Sequence, residues 1–148
     1  MDRTERTWIQ GQERLWIEPV GRGLVEITAR VQGVIEASGV GLGLCVVFLR
    51  HTSASLVIQE NADPSARSDL EAYLERLAPE GDPAYRHTAE GPDDMPAHLR
   101  SALTSTSESI PVRDGALVLG TWQGIFLCEH RRRPSRREVV VHVTGTAG

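Results

Sequence analysis

The sequence predicts an α+β fold in which a mainly antiparallel sheet or sandwich of six or more strands is flanked by two to three helices. Three observations carry the prediction. Short β-branched runs recur between turn residues, above all in the last third of the chain. Two segments repeat their apolar residues at helical spacing. The length of 148 residues, with 40% hydrophobic and 24% charged side chains, suits a single domain over 1–148 around one core.

From Thr7 to Ile17, the residues Trp8, Leu15 and Ile17 stand among Gln, Glu and Arg, as in an edge hairpin or a pair of short strands. Pro19, Gly21 and Gly23 punctuate it. Ile27, Val31, Val34 and Ile35 then recur at helical spacing and predict a helix over 24–37 that stops in the glycine-rich 38–43. Residues 44–49 read as a buried strand and 55–59 as the next, with the polar His51-Thr52-Ser53 between them. Asp63 suits a helix N-cap and Pro64 the first helical position, and Leu70, Tyr73, Leu74 and Leu77 supply the apolar stripe to Ala78. Residues 79–96 hold four prolines and no apolar period, which predicts a long loop before a short helix over 97–103. Strands are expected at 109–112, 115–119, 121–128 and 138–143. No internal repeat or linker divides the chain.

All 16 basic residues are arginine. Without lysine there is no Schiff-base chemistry and no P-loop, so any anion must be held by arginine, histidine, backbone N–H groups or a metal. A net charge of -4 argues against a nucleic-acid partner. No apolar run approaches the roughly 18 residues of a membrane span, and the charged residues 1–6 do not read as a signal peptide. A cytoplasmic setting without a membrane partner is therefore expected. Cys45 and Cys128 lie in apolar runs without a C-x-x-C partner, which suits buried thiols and excludes zinc-ribbon and thioredoxin chemistry.

Four segments place polar residues where a strand pattern breaks, so that a strand fixes them and the break exposes them. His51, Thr52, Ser53 and Ser55 offer a general base, metal ligand or phosphate donor with nearby hydroxyls, or else a turn that satisfies its own backbone. Asn61 sits at a helix N-terminus that favours anions, whereas capping accounts for Asp63. His87, Asp93, Asp94 and His98 concentrate imidazoles and carboxylates without a local metal signature: the mix suits zinc or manganese, the two carboxylates alone suit magnesium, and Asp93 or Asp94 could instead cap the next helix. Trp122 and Gln123, between Gly120 and Gly124, suit either a heterocycle-stacking surface or a strand bulge with a core Trp. Glu129-His130 closes the same strand, as a histidine oriented by a carboxylate or as a ligand pair. Five arginines follow within 131–137, either a solvated hairpin tip or a phosphate grip that includes Arg131 or Arg136. His142, Trp8 and Trp16 read as structural or surface residues, and Asp69 as solvated.

At these residues the sequence is identified as a member of a known family. HTSASL at 51–56, ENADP at 60–64, EGPDDMPAH at 90–98, Ser107, Ile110, Val112 and Gly115, GTWQGI at 120–125 and EHR at 129–131 resemble the YjbQ family, also called uncharacterised protein family 47 and secondary thiamine-phosphate synthase. The likeness runs from Trp8 to Gly145, and S-x-x-[LIV]-x-[LIV]-x-x-G-x-x-x-x-G-T-W-Q-x-[LIV] is met at every fixed position. The resemblance implies a β-sandwich flanked by helices, a homotrimer, and transfer of a pyrimidine-methyl group from its diphosphate to thiazole phosphate with release of pyrophosphate. Carried over by motif, the site would draw on His51, Thr52, Ser53, Asn61, His87, Asp93, His98 and His130, with Trp122, Gln123, Arg131 and Arg136 binding the phosphorylated small-molecule substrate.

The chemistry is consistent with that label. Departing pyrophosphate needs its charge neutralised, which Mg2+ on Asp93 or Asp94 with arginine and histidine donors would do, while Trp122 faces the pyrimidine and Gln123 reads its edge. Two rivals remain. One is a hydrolase with Zn2+ or a similar divalent ion held by three of His51, His87, His98 and His130. The other is a non-enzymatic small-molecule-binding trimer.

Overall fold

A computed structural model of the chain describes residues 6–148. The elements run β1 (Trp8–Ile17), β2 (Gly23–Glu26), α1 (Thr28–Ser38), β3 (Leu42–Leu49), β4 (Ala54–Glu60), α2 (Pro64–Leu77), α3 (Asp94–Leu103), β5 (Ser107–Arg113), β6 (Ala116–Leu117), β7 (Gln123–Glu129) and β8 (Arg137–Thr146). They form a five-stranded sheet in the order β1-β8-β3-β5-β6 and a three-stranded sheet in the order β2-β7-β4, and every pairing is antiparallel. The expected α+β architecture is thus present, with three helices.

The core follows from the two-residue period of the strands. Val139, Val141 and Val143 of β8, with Cys45, Val47 and Leu49 of β3, point inward to meet Leu56 of β4 and Ile125 and Leu127 of β7. Helix α1 adds the stripe Val31, Val34 and Ile35 and ends at Gly39, whose φ of 77° is a left-handed cap that glycine adopts without a steric cost. Helix α2 starts as expected: Asp63 accepts a hydrogen bond from the Ser65 N–H at 2.9 Å, and Pro64 occupies the first turn. It packs on β2, and α3 packs on β4. No helix among the described residues is long and apolar enough to cross a membrane.

Several expected boundaries differ. Residues 8–17 are one strand rather than a hairpin, because β1 pairs with β8 along its whole length from Trp8–Thr146 to Ile17–Arg137. Residues 23–26 are a strand rather than the first turn of the helix, since β2 finds backbone partners on β7 from Glu129 to Phe126. Helix α3 begins at Asp94, three residues early, and neither aspartate caps it: the Asp93 side chain makes no cap bond because arginines hold it. The run of arginines is not a hairpin tip. It crosses from β7 in one sheet to β8 in the other.

Where β3 and β8 converge, Gly43 faces Gly145 across the ladder. A Cβ on either would lie 2.0 Å from a backbone carbonyl oxygen of the opposite strand, so the approach requires glycine on both sides. The outer face of the same sheet is apolar at its centre. Leu42, Leu44 and Phe48 are 45%, 42% and 45% exposed, with Val46 and Val140 beside them in register.

Candidate functional site

One edge of the sandwich gathers the chemistry. The turn after β3 brings His51, Thr52 and Ser53, the end of β7 brings Glu129, His130 and Arg131, the start of β8 brings Arg137, and the α2–α3 loop with α3 brings His87, Asp93, Asp94 and His98.

Asp94 is the hub. Its side chain is buried, and its Oδ2 lies 2.7 Å from His87 Nε2 and 3.0 Å from His98 Nε2, while Oδ1 accepts from Arg131. Burial pushes the Asp94 carboxyl up, but the His87 hydrogen bond and the His98 and Arg131 charges outweigh it and hold the group below its ordinary value. His98 Nδ1 is 2.7 Å from the Thr52 carbonyl oxygen, which only accepts, so Nδ1 carries a proton. In the neutral ring Nε2 is then a bare lone pair facing a carboxylate oxygen. That arrangement is repulsive unless a second proton or a cation lies between them. His87, Asp94 and His98 each offer one donor atom within 4.8 Å of the others, the one such group of three among the described residues. Two tetrahedral ligands of one zinc, each at about 2.0–2.1 Å, stand about 3.3–3.4 Å apart, a small opening from the present contacts, and the N–H of His98 to a carbonyl is the usual way a ligand histidine is oriented. Asp93 supports the hub from behind, accepting from Arg131 Nε at 3.1 Å and from the Arg132 N–H at 2.9 Å.

The four histidines do not form one donor set. His51 Nε2 accepts from the Glu138 N–H at 2.9 Å, so its lone pair is used and the neutral ring carries its proton on Nδ1, facing Arg137 at 3.5 Å. Neither nitrogen is left for a metal. His130, one residue beyond β7, is 4% exposed, with Nε2 bonded to Ser55 Oγ at 2.8 Å. Burial, then the Arg100, Arg137 and Arg22 cations, push its pKa down to about 3. Burial and Arg137 also lower that of His51, against Glu138 and Glu129. Cys45 and Cys128 are buried free thiols, pushed by burial up to about 11 and about 12 respectively, and so are inert.

Two lowered imidazoles fix the sign of a pH effect. Below the ordinary value of 6.5 the unfolded chain takes up protons that folded His130 refuses until about 3, so stability is full above 6.5 and is lost as pH falls. His51 acts in the same direction. Urea titrations between about pH 7 and about pH 5 should show a loss approaching about 1.4 kcal/mol per pH unit from His130, to which His51 adds in the same direction. His130→Gln should remove one proton's worth of that slope, and an unchanged slope would mean that His130 is not buried neutral.

The remaining predicted residues lie elsewhere. Asn61, Trp122 and Gln123 sit at the opposite end of the three-stranded sheet, where Glu60 pairs with Gln123, whereas Ala54 pairs with Glu129 at the histidine end. Six strand steps separate the ends, about 20 Å. Trp122 is 64% exposed in a turn rather than in a bulge, and Gln123 closes that turn by accepting from the Gly120 N–H at 2.7 Å. Asn61 donates its backbone N–H to the Trp122 carbonyl. Arg136 stacks on Trp16 at 4.3 Å and reaches Glu18, so it is a surface contact rather than part of the histidine cluster. Of the arginine run, Arg131 serves Asp93 and Asp94, Arg132 pairs with Glu80, and Arg137 is buried against Glu129. Glu129 does not orient His130, which bonds to Ser55, but holds Arg137, a residue with no signal in the sequence beyond its place at a strand end.

Known proteins share this arrangement of sheets. A family model described as UPF0047 protein YjbQ-like matches residues 13–146. A UPF0047 protein of Synechocystis is 58% identical over 139 residues, 94% of this chain and 95% of its own, and the UPF0047 protein YjbQ of Salmonella typhimurium is 41% identical over 140 residues, 93% and 99%. A YbjQ-like protein of unknown function from Sulfolobus solfataricus superposes with a TM-score of 0.86 at 27% identity, covering 94% of this chain and 99% of that one. A conserved hypothetical protein of Thermus thermophilus gives 0.78 at 37% identity, covering 87% and 97%. The fold, the matched span and the identities agree: the chain belongs to the UPF0047 YjbQ-like family.

Proposed function

We propose that this protein is a metal-dependent enzyme acting on a phosphorylated small molecule, with one divalent ion held by His87, Asp94 and His98. The observation that carries the reading is the convergence of His87 Nε2 and His98 Nε2 on Asp94 Oδ2, with His98 Nδ1 tied to the Thr52 carbonyl. Two imidazoles and one carboxylate suit Zn2+ or Mn2+ better than Mg2+, which prefers oxygen donors and water, and Asp93 is already committed to Arg131 and Arg132. Bound there, such an ion supplies a Lewis acid and an acidified water. The chain's own residues do the rest: Arg131, one-quarter exposed, presents cationic charge beside the cluster, and Asp93 fixes its guanidinium. Hydrolysis of a phosphate ester is the simplest reaction this set supports.

Metal analysis after dialysis against zinc should give close to one ion per chain. Turnover of an aryl phosphate should stop with a chelator and return with metal. Protein that takes up neither Zn2+ nor Mn2+ ends this reading.

One observation favours the thiamine-phosphate synthase reading, the exposed indole of Trp122 available to stack on a pyrimidine. At about 20 Å from the histidines along one chain, it would have to come from a neighbouring subunit. The two readings separate on substrate, since only the second forms thiamine phosphate from the pyrimidine diphosphate and thiazole phosphate. The homotrimer belongs to the same proposal, with the apolar face of Leu42, Leu44 and Phe48 as the surface that a second copy covers. Phe48→Glu should convert the trimer to monomer in light scattering, and an unchanged mass would place the contact elsewhere.

A further inference from the structure

Arg100 lies two residues beyond His98 and points to the other side of α3. It is 3% exposed and donates one N–H to the Ala78 carbonyl at 2.8 Å. Its Nε has no partner, and no ion pair among the described residues includes it. A guanidinium cannot shed its charge, so burial without a counter-charge is costly. Arg100 borders a cavity of about 240 Å³ between the three-stranded sheet and α2, whose wall also includes Arg22 and His130. A second hollow of about 260 Å³ shares Arg22 and Arg100 and adds Arg132.

The carboxylates on these walls are engaged. Glu71 accepts from the Leu24 N–H at 3.1 Å, Glu129 holds Arg137, Glu80 pairs with Arg132 and Arg22, and Glu75 pairs with Arg22. The Arg22 contacts are long, 3.4 Å to Glu75 and 3.3 Å to Glu80, against about 2.7–2.9 Å for a strong charge-assisted bond. Arg22 is therefore loosely held, and Arg100 makes no direct ion pair, feeling the Glu75 and Glu80 charges only from a distance.

We propose that this cavity is a second ligand site, for a small oxyanion such as inorganic phosphate, gripped by Arg100 and Arg22 with His130 on its wall. The space equals about eight waters at ~30 Å³ each, room for one phosphate and part of its hydration shell.

The test uses the full chain stripped of metal, so that phosphate cannot bind through an ion, and compares inorganic phosphate with chloride at equal ionic strength. Calorimetry should find one site per chain, and phosphate at about tenfold above Kd should raise Tm by roughly 3–6 °C. Arg22→Met, at a side chain 28% exposed, should weaken binding about tenfold or more. Arg100→Met should abolish the phosphate-dependent rise, while its phosphate-free Tm is set by the balance between removing a buried charge and losing the hydrogen bond to the Ala78 carbonyl. Should Arg100→Met not fold, Arg22→Met decides. No rise in the wild type, or an equal rise in wild type and Arg22→Met, overturns the proposal. A rise that vanishes in His98→Ala but survives in Arg22→Met assigns the phosphate to the histidine cluster and overturns it too.

Discussion

Arg137→Met should destabilise the protein by about 3–5 kcal/mol. The Arg137 and Glu129 side chains are 4% and 0% exposed, and they meet in a two-pronged pair with both N···O distances at 2.7 Å. Methionine preserves much of the volume but strands a buried carboxylate. Against a typical total of about 5–15 kcal/mol, that loss brings the fold close to its limit. The same guanidinium reaches the Ser53 carbonyl at 3.4 Å, so the turn that positions Thr52 loosens with it. Arg137→Met combined with Glu129→Leu should recover most of the loss, since replacing both charges by apolar groups is often neutral. Chemical denaturation of the two single variants and the double variant reads this directly. A single-variant loss below about 1 kcal/mol would mean the pair is solvated.

Asp94→Asn should weaken binding of Zn2+ or Mn2+ by well over about 100-fold and remove the metal-dependent turnover with it. The amide keeps the shape but not the charge, and it cannot serve two imidazoles and Arg131 together. Asp93→Asn is the informative companion. That residue touches Arg131 and Arg132 but neither histidine, so its loss should cost only about 10–100-fold. Competition with a chromophoric chelator, and the visible spectrum of the Co2+ form, measure both. Wild-type affinity in Asp94→Asn would remove the aspartate from the ligand set.

The fold was legible where one period dominates. The β-branched alternation of β8 and the stripe of α1 fix their inward faces without help from the rest of the chain. The strand β2 was hidden because Leu24 and Val25 continue the apolar spacing of Ile27 and Val31, and only the backbone of β7 tips four residues into a strand. His87 and His98 could be named as candidates, whereas their separation from His51 and His130 depends on which ring nitrogen faces which backbone group. The ion pair of Glu129 and Arg137 joins residues eight apart across two sheets, a relation no local spacing encodes. Arg100 had one visible sign, its position at i+3 from buried Ala97 on the inward side of a helix.

The α2–α3 loop is fastened to the rest of the molecule at several points, one of them in the histidine cluster itself. His87 bonds to Asp94, the Glu90 carbonyl accepts from Arg131, and Glu80 pairs with Arg132. Undocking this segment and dismantling the ligand set are therefore one event, so an occupant that grips His87 also latches the loop shut. Its amides should exchange with solvent more slowly, and proteases should nick it later, by the factor 1 + [L]/Kd. The segment is thus a built-in gauge of occupancy that can be read without a substrate.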